Sequence, residues 1–238
     1  MFLSIQNTCP YFDILKIIYR SNGLPTNYRY LCTMNIAILI ESQYAGCARY
    51  WNKLLQSEQI VIDRHEHFVR RSYRNRTNIL GANGLLRLSI PLESGKSQHA
   101  AMKDVRISYA ENWQKLHWQS MNSAYRRSPF FEFYEDQLVR FYEQRRDFLI
   151  DFNQEMQQVI ANILKVTLPI EFSTQYFAKG NFPGTDLRST LLPGMEVLGL
   201  PPYSQVFSDR FPFVPDLSVL DVLFNLGPGS RDYLLSLA

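Results

Sequence analysis

The sequence predicts an α/β (or α+β) fold, and three observations carry that prediction. Two apolar runs rich in β-branched residues, Asn35-Ile36-Ala37-Ile38-Leu39-Ile40 and Gln59-Ile60-Val61-Ile62-Asp63, enclose a segment with helical spacing. A turn pair, Asn83-Gly84, separates two further strand-like runs, and much of residues 111–165 repeats its apolar positions with a period near that of a helix. The expected architecture is a strand-helix-strand N-terminal unit, a β-hairpin, a helical middle segment and a mixed sheet.

Residues 1–33 show neither strand alternation nor a sustained helical stripe, and scatter Asn, Pro, Gly and Ser among aromatics. They are expected to form a poorly packed extension with one short helix near residues 10–19, with Met34 as the natural start of a single domain over 34–238. An N-terminal arm that covers the core is the competing reading. The first strand ends at Glu41-Ser42-Gln43-Tyr44. Arg49 to Gln56 then reads as a helix that turns Tyr50, Trp51, Leu54 and Leu55 toward the sheet. With the second strand at 59–63 this is the smallest parallel crossover unit, whose ligands sit at the carboxyl ends of the strands. Gln43, Tyr44 and His65 fall there.

Asn83-Gly84, between Asn78-Ile79-Leu80 and Leu86 to Leu92, signals a hairpin because both residues tolerate positive φ. Asp104 to Tyr109 alternates as a half-buried strand. A helix then starts at Glu111 or Asn112, with Trp113, Leu116, His117, Ser120 and Tyr125 on one face. Ser128-Pro129 reads as a cap and first turn for a helix running to about Arg146, which carries Phe133, Leu138, Phe141 and Tyr142. Asp151 or Asn153 caps a third helix, to Lys165, with Met156, Val159, Ile160 and Ile163 inward. Ile170-Glu171-Phe172-Ser173-Thr174 is a strand. Beyond it lie the glycine-rich stretch from Gly180 to Thr190 and a C-terminal Gly227-Pro228-Gly229-Ser230.

With 46% hydrophobic and 20% charged residues, the chain has globular composition. A formal charge of +3 leaves positive potential to clustering. Cys9, Cys32 and Cys47 are an odd set without paired metal spacing, as expected of reduced thiols in the cytoplasm. No apolar run approaches the roughly 20 residues of a membrane helix.

Clustering is found at residues 64–78, where Arg64, Arg70, Arg71, Arg74 and Arg76 accompany His65 and His67. Guanidinium groups suit phosphate or carboxylate because they offer paired donors in a rigid plane. If residues 72–78 are extended, Arg74 and Arg76 point one way and Tyr73, Asn75 and Thr77 the other. A solvated basic loop is the plainer reading. His65 suits a general base, whereas a metal site lacks a third ligand at recognisable spacing. His117 is either a hydrogen-bonded core histidine or a second acid/base. Asp186, followed by Arg188, either caps a helix or meets a ligand hydroxyl. The turn at 227–230 presents backbone amides before a short helix, with Gly229 and Arg231 as its possible anion contacts. Ser42, Cys47 and Ser189 lack a nucleophile-elbow context.

These residues, taken together, resemble the WbqC-like family, found among proteins linked with bacterial O-antigen and other surface-polysaccharide synthesis. The resemblance rests on Gln43-Tyr44 after the first strand, on Tyr73-Arg74-Asn75-Arg76-Thr77-Asn78 before Leu88-Ser89-Ile90-Pro91, and on Trp113-Gln114-Lys115-Leu116-His117. Ser128-Pro129-Phe130-Phe131, Asp186-Leu187-Arg188-Ser189-Thr190 and Gly227 to Tyr233 continue it. It implies a cytoplasmic transferase, of an aminoacyl group such as glycine, acting on a phosphorylated or nucleotide-linked sugar. The partner is then an anionic small molecule (a sugar phosphate, nucleotide sugar or aminoacyl donor), and the cofactor is unknown. Arg74, Arg76 and Arg188 would neutralise phosphate, Asn75 and Asn78 would orient the acceptor, and Gln43 and Tyr44 would shape the pocket. The alternative function is a non-catalytic protein that binds nucleic acid or an acidic partner through its basic surface. A stripe adding Arg126, Arg127, Arg145 and Arg146 would mark that alternative.

Overall fold

The structure, a computed structural model, describes residues 37–93 and 100–237. The expectations for residues 1–33, including the helix near 10–19, fall outside the described residues. The short apolar runs Ile38–Ile40 (β1) and Ile60–Ile62 (β2) pair in parallel, with Ile38 opposite Ile60. Strands apolar on both faces require cover on both sides, which only a crossover connection provides. That connection contains helix α1 (Ala48–Leu55), whose Tyr50, Trp51 and Leu54 are buried. Ile170–Phe172 (β5) adds beside β2, and a strand that sequence patterning missed, Thr185–Asp186 (β6), adds beside β1. The result is a parallel sheet in the order β5-β2-β1-β6. β6 escapes a pattern search because it has two residues and no apolar alternation. It approaches β1 because Gly184 precedes it, where a Cβ would fall 2.1 Å from the Ala37 carbonyl oxygen.

The hairpin forms a separate antiparallel pair, β3 (Arg76–Gly81) and β4 (Gly84–Ser89). Parallel and antiparallel strands are therefore divided between two sheets instead of sharing the mixed sheet expected. Register pairs Gly81 with Gly84, so the turn centres on Ala82-Asn83, and Gly84 at φ +103° supplies the left-handed residue. The turn is one residue earlier than the Asn-Gly pair implied.

Residues 104–109 do not form the expected strand. Met102–Asp104 is a 3₁₀ turn, and Arg106 and Ile107 make only isolated bridges to Phe148 and Leu92. Val105 and Ile107 are nonetheless buried, so the alternation recorded burial rather than strand pairing.

Three helices follow, α2 (Trp113–Tyr125), α3 (Phe131–Glu143) and α4 (Leu149–Ile163). In α2 the inward stripe is Trp113, His117, Met121 and Tyr125, one residue per turn, while Leu116 faces solvent. Phe133 of α3 is likewise exposed, because Phe131, Leu138, Phe141 and Tyr142 define its buried side. Ser128 does not cap α3; its hydroxyl donates to the Tyr125 carbonyl and closes α2 instead. α4 begins four residues before Asn153, which is buried and donates to the Arg74 carbonyl at 2.8 Å.

The chain closes with α5 (Val219–Leu226), capped by the Ser218 hydroxyl, a 3₁₀ turn at Gly227–Gly229 and α6 (Ser230–Ser236). Asn52 of α1 donates to the carbonyls of Leu234 and Leu237, so a buried amide satisfies the carboxyl end of α6. Asp221 of α5 is fully buried and accepts from Tyr125, Tyr203 and Gln205, tying α2 and the 203–214 segment to the C-terminal helices.

Asp221→Ala strips three donors of their acceptor and is expected to lower the unfolding free energy by about 3 kcal/mol. Asp221→Asn, which keeps one acceptor oxygen, should lose less. Urea titration of both variants checks the ordering, and a loss under about 1 kcal/mol for the alanine variant would mean that those donors are satisfied elsewhere.

Candidate functional site

The carboxyl ends of the four parallel strands lie along one edge of the sheet. The chain leaves β1 for β2 on one side while β6 flanks it on the other, so adjacent loops diverge there. Onto that edge the loops bring Glu41, Gln43, Asp63, Glu66, Ser173, Asp186, Arg188 and Ser189, and the approach to β3 adds Arg74. Glu41 accepts from Gln43 Nε2 at 2.9 Å and from the Ser189 backbone amide at 2.8 Å. Asp63 accepts from the amides of His65 and Glu66, from the Ser173 hydroxyl, and from Arg188 Nη1 at 2.7 Å. Arg188 also forks Asp186 through Nε and Nη2. Arg74 directs Nε and Nη2 at the two oxygens of Glu66, at 2.7 and 2.6 Å, and Nη2 reaches the Ser189 hydroxyl at 3.2 Å.

Burial makes this pairing compulsory. Arg74 has no exposed surface and Glu41, Asp63 and Glu66 almost none. An isolated charge in such a place costs several kcal/mol, whereas a two-point pair offsets much of that. Burial above all raises Glu66 to about 7; Glu41 and Asp63 add to the rise, and Arg74 opposes it. The guanidinium of Arg188 holds Asp186 below the usual carboxylate range. Two polar atoms at this edge, Arg74 Nη1 and Gln43 Oε1, have no protein partner. Ser189 takes a left-handed φ of +57°, a conformation non-glycine residues rarely adopt, and such strain gathers at working sites.

A cleft of about 710 Å³ opens alongside the segment that follows Glu66, with Phe68, Arg70, Arg71, Asn75 and Arg76 on its wall and Glu111 and Ser89 among its other lining residues. Asn75 is fixed by donating to the Ile90 carbonyl at 2.8 Å. Arg71 sits at φ +58°. Partial burial lowers the pKa of Arg76, and the like charges of Arg87 and Arg71 lower it further. Its Nε has no protein partner. Guanidinium groups crowded in this way attract an anion, which relieves their repulsion and fills their donors.

Gln43, Arg74, Asp186 and Arg188 therefore meet at the sheet edge, and Asn75 and Arg76 line the adjoining cleft. Extended alternation does not hold across 74–76, since Arg74 turns inward to Glu66 while both Asn75 and Arg76 reach the cleft. His65 is half-exposed beside Asp63, on which its amide rests. Tyr44 is fully buried. Its hydroxyl lies 3.1 Å from Nδ1 of His117 and 2.8 Å from the Tyr142 hydroxyl. The Ser89 backbone acts on the same imidazole, against the effect of burial. His117 thus braces the cleft wall at Ser89 from behind. Asn78 lies deeper along β3 and is buried, its backbone carbonyl accepting from the Ser218 amide at 2.9 Å.

Gly229 and Arg231 are not brought to this edge. Arg231 lines a separate cavity of about 250 Å³ with Leu55, Leu168 and Pro169, which precede β2 and β5 and so mark the opposite end of the sheet. Of the basic stripe, Arg126 is forked to Glu135, Arg146 to Glu155, and Arg145 lies over the Tyr109 ring. Sequence reasoning passed over Glu41, Asp63, Glu66 and Ser189. Acidic residues directly after two apolar strands were the available signal for the first two. Among the described residues, no group of three His, Cys, Asp or Glu side chains is placed to hold a metal ion.

Fold and site together define an α/β protein with a buried, arginine-paired carboxylate network at the carboxyl edge of a parallel sheet. The chain belongs to the WbqC-like protein family, whose profile matches residues 41–188. That match opens on Glu41 and closes on Arg188, so it spans the whole network apart from Ser189. An uncharacterised protein of Mycobacterium tuberculosis (strain ATCC 25618 / H37Rv), Rv1507c, is 22% identical over 230 residues, covering 84% of this chain and 98% of its own. No solved structure matches the chain.

Burial holds His117 down to about 4, against an ordinary 6.5. The folded chain therefore stays neutral there while the unfolded chain takes up a proton below pH 6.5, so this contribution is present above 6.5 and is lost as pH falls toward 4. A fully realised shift amounts to about 3 kcal/mol. His117→Gln should flatten the fall in melting temperature between pH 6.5 and 4; parallel curves for variant and parent would refute the assignment.

Proposed function

We propose that this chain is a cytoplasmic transferase of surface-polysaccharide biosynthesis, acting on a phosphorylated or nucleotide-linked sugar. The observation that carries the reading is the cleft of about 710 Å³ walled by Arg71, Asn75 and Arg76. Its arginines are matched to an anion the size of a sugar phosphate or nucleotide. The sugar, and an aminoacyl group such as glycine as the group transferred, come from family membership.

In this reading Arg71 and Arg76 neutralise phosphate, Asn75 and the braced Ser89 wall orient the ligand, and Glu111 accepts a hydroxyl. His65, half-exposed at the sheet edge, carries the proton. Arg74 and Arg188 act indirectly: Arg74 is wholly buried against Glu66, and Arg188 is committed to Asp63 and Asp186. The nucleic-acid alternative needs the basic stripe, and Arg126 and Arg146 of that stripe are engaged with Glu135 and Glu155.

Thermal stabilisation of the full chain by inorganic phosphate, glucose 1-phosphate, UDP-glucose and a short oligonucleotide tests this reading. A small phosphate-bearing molecule should stabilise it, and Arg76→Ala should weaken that binding about tenfold or more, the scale of a charge-assisted hydrogen bond. Stabilisation by oligonucleotide alone, abolished at moderate salt, would replace the enzyme reading with the binding one.

A further inference from the structure

The arginine cleft is built on a short segment whose two ends are pinned together. Residues 66–74 leave the sheet edge and return to it, anchored by the buried Phe68 and carrying Arg70 and Arg71 outward, with Asn75 and Arg76 directly after. At its ends Arg74 Nε and Nη2 grip the two oxygens of Glu66 at 2.7 and 2.6 Å. Both ends are also anchored to the body of the protein. Met102 donates its amide to the Glu66 carbonyl, Asn153 donates to that of Arg74, and Tyr44 donates its amide to that of Tyr73. Between the ends the chain makes a compact turn. The Ser72 hydroxyl donates to the Val69 carbonyl at 2.6 Å, and Arg71 is held in the left-handed region at φ +58°.

We propose that Glu66 is a positioning residue for the anion site: its carboxylate, by holding Arg74 at two points, closes this segment so that Arg71 and Arg76 address one ligand. The proposal rests on the anion-binding reading of the cleft and adds a control over it. When Glu66 is neutral the two-point charged grip is lost, Arg74 keeps only the charge of Glu41 to answer it, and the segment it closes loosens.

Glu66 is suited to such control because its charge changes near neutrality whereas that of Arg74 does not. It is faced by Arg74 from its own segment, by Glu41 after β1 and by Asp63 after β2, while Arg188 after β6 acts on Arg74. Glu41 and Asp63 are held by Ser189, Gln43, Ser173 and Arg188. Burial, the largest influence, together with Glu41 and Asp63 outweighs the pull of Arg74 and leaves Glu66 at about 7. Two effects of acidification then oppose each other. Loss of the negative charge on Glu66 strengthens anion attraction; opening of the segment weakens it. The proposal requires the second to win.

Sulfate is the probe, since its charge is constant across the range. Isothermal titration of the full chain with sulfate should show affinity falling about fivefold or more from pH 8 to pH 6, the reverse of what simple attraction gives. Glu66→Gln should bind as weakly at pH 8 as the parent does at pH 6, with a flat profile. An affinity in the parent that is level or rises on acidification overturns the proposal, whether or not the variant folds. So does a folded Glu66→Gln that binds like the parent at pH 8. Sulfate binding that is pH-independent but lost in Arg76→Ala keeps the anion site and removes only the role of Glu66. No sulfate binding at any pH removes both.

Discussion

A guanidinium with no exposed surface must be answered by a carboxylate, and the carboxyl edge of this protein is arranged around that requirement. Arg74 is such a group, and Glu66 answers it with both oxygens. The pair does not stand alone. Arg74 reaches Ser189, whose amide is held by Glu41, which in turn holds Gln43. Arg188, the residue before Ser189, bridges Asp186 of β6 to Asp63 after β2. Each strand end is thus tied to its neighbours by a charge that would be costly to leave unpaired. The short strands, three residues or fewer, gain from side chains an alignment that their few ladder bonds would define poorly.

The same network separates structural arginines from those available to a ligand. Arg74, with no exposed surface, grips Glu66 at two points and Arg188 bridges Asp63 and Asp186, whereas Arg76 lies among like charges at an open cleft. A segment can turn cations toward solvent in close company only when its frame is held elsewhere, and here the frame is the buried pair. The aromatic chain of Tyr142, Tyr44 and His117 performs a corresponding task at Ser89, which pairs with Arg76 across the hairpin.

Much of the fold could be read from local pattern. β1, α1 and β2 follow from two β-branched runs around an amphipathic stretch, and the helical middle from its apolar spacing. The failures are equally physical. The 104–109 alternation is real burial without a strand partner, and β6 has no pattern because Gly184 and its proximity to β1 create it. The hairpin turn shifted by one residue because Gly84 alone carries the positive φ. Of the site, Gln43, Arg74, Asn75, Arg76, Asp186 and Arg188 were legible as residues of interest. Glu66 was not, since a glutamate between two histidines in a basic run looks like a solvated charge.

What the amino-acid order determined unaided is therefore the inventory: an α/β chain, its helices and central strands, and a stretch near residue 75 dense in guanidinium groups. Periodicity and residue chemistry act over a few neighbours, and these features depend on nothing more. Tertiary structure alone decided which of those groups is buried and which is open. The deciding contacts join Glu41 to Ser189 across 148 positions, Arg188 to Asp63 across 125 and Arg74 to Ser189 across 115. The energy of a charge depends on its partner and on the water it has lost, and both are settled only when distant strands lie side by side.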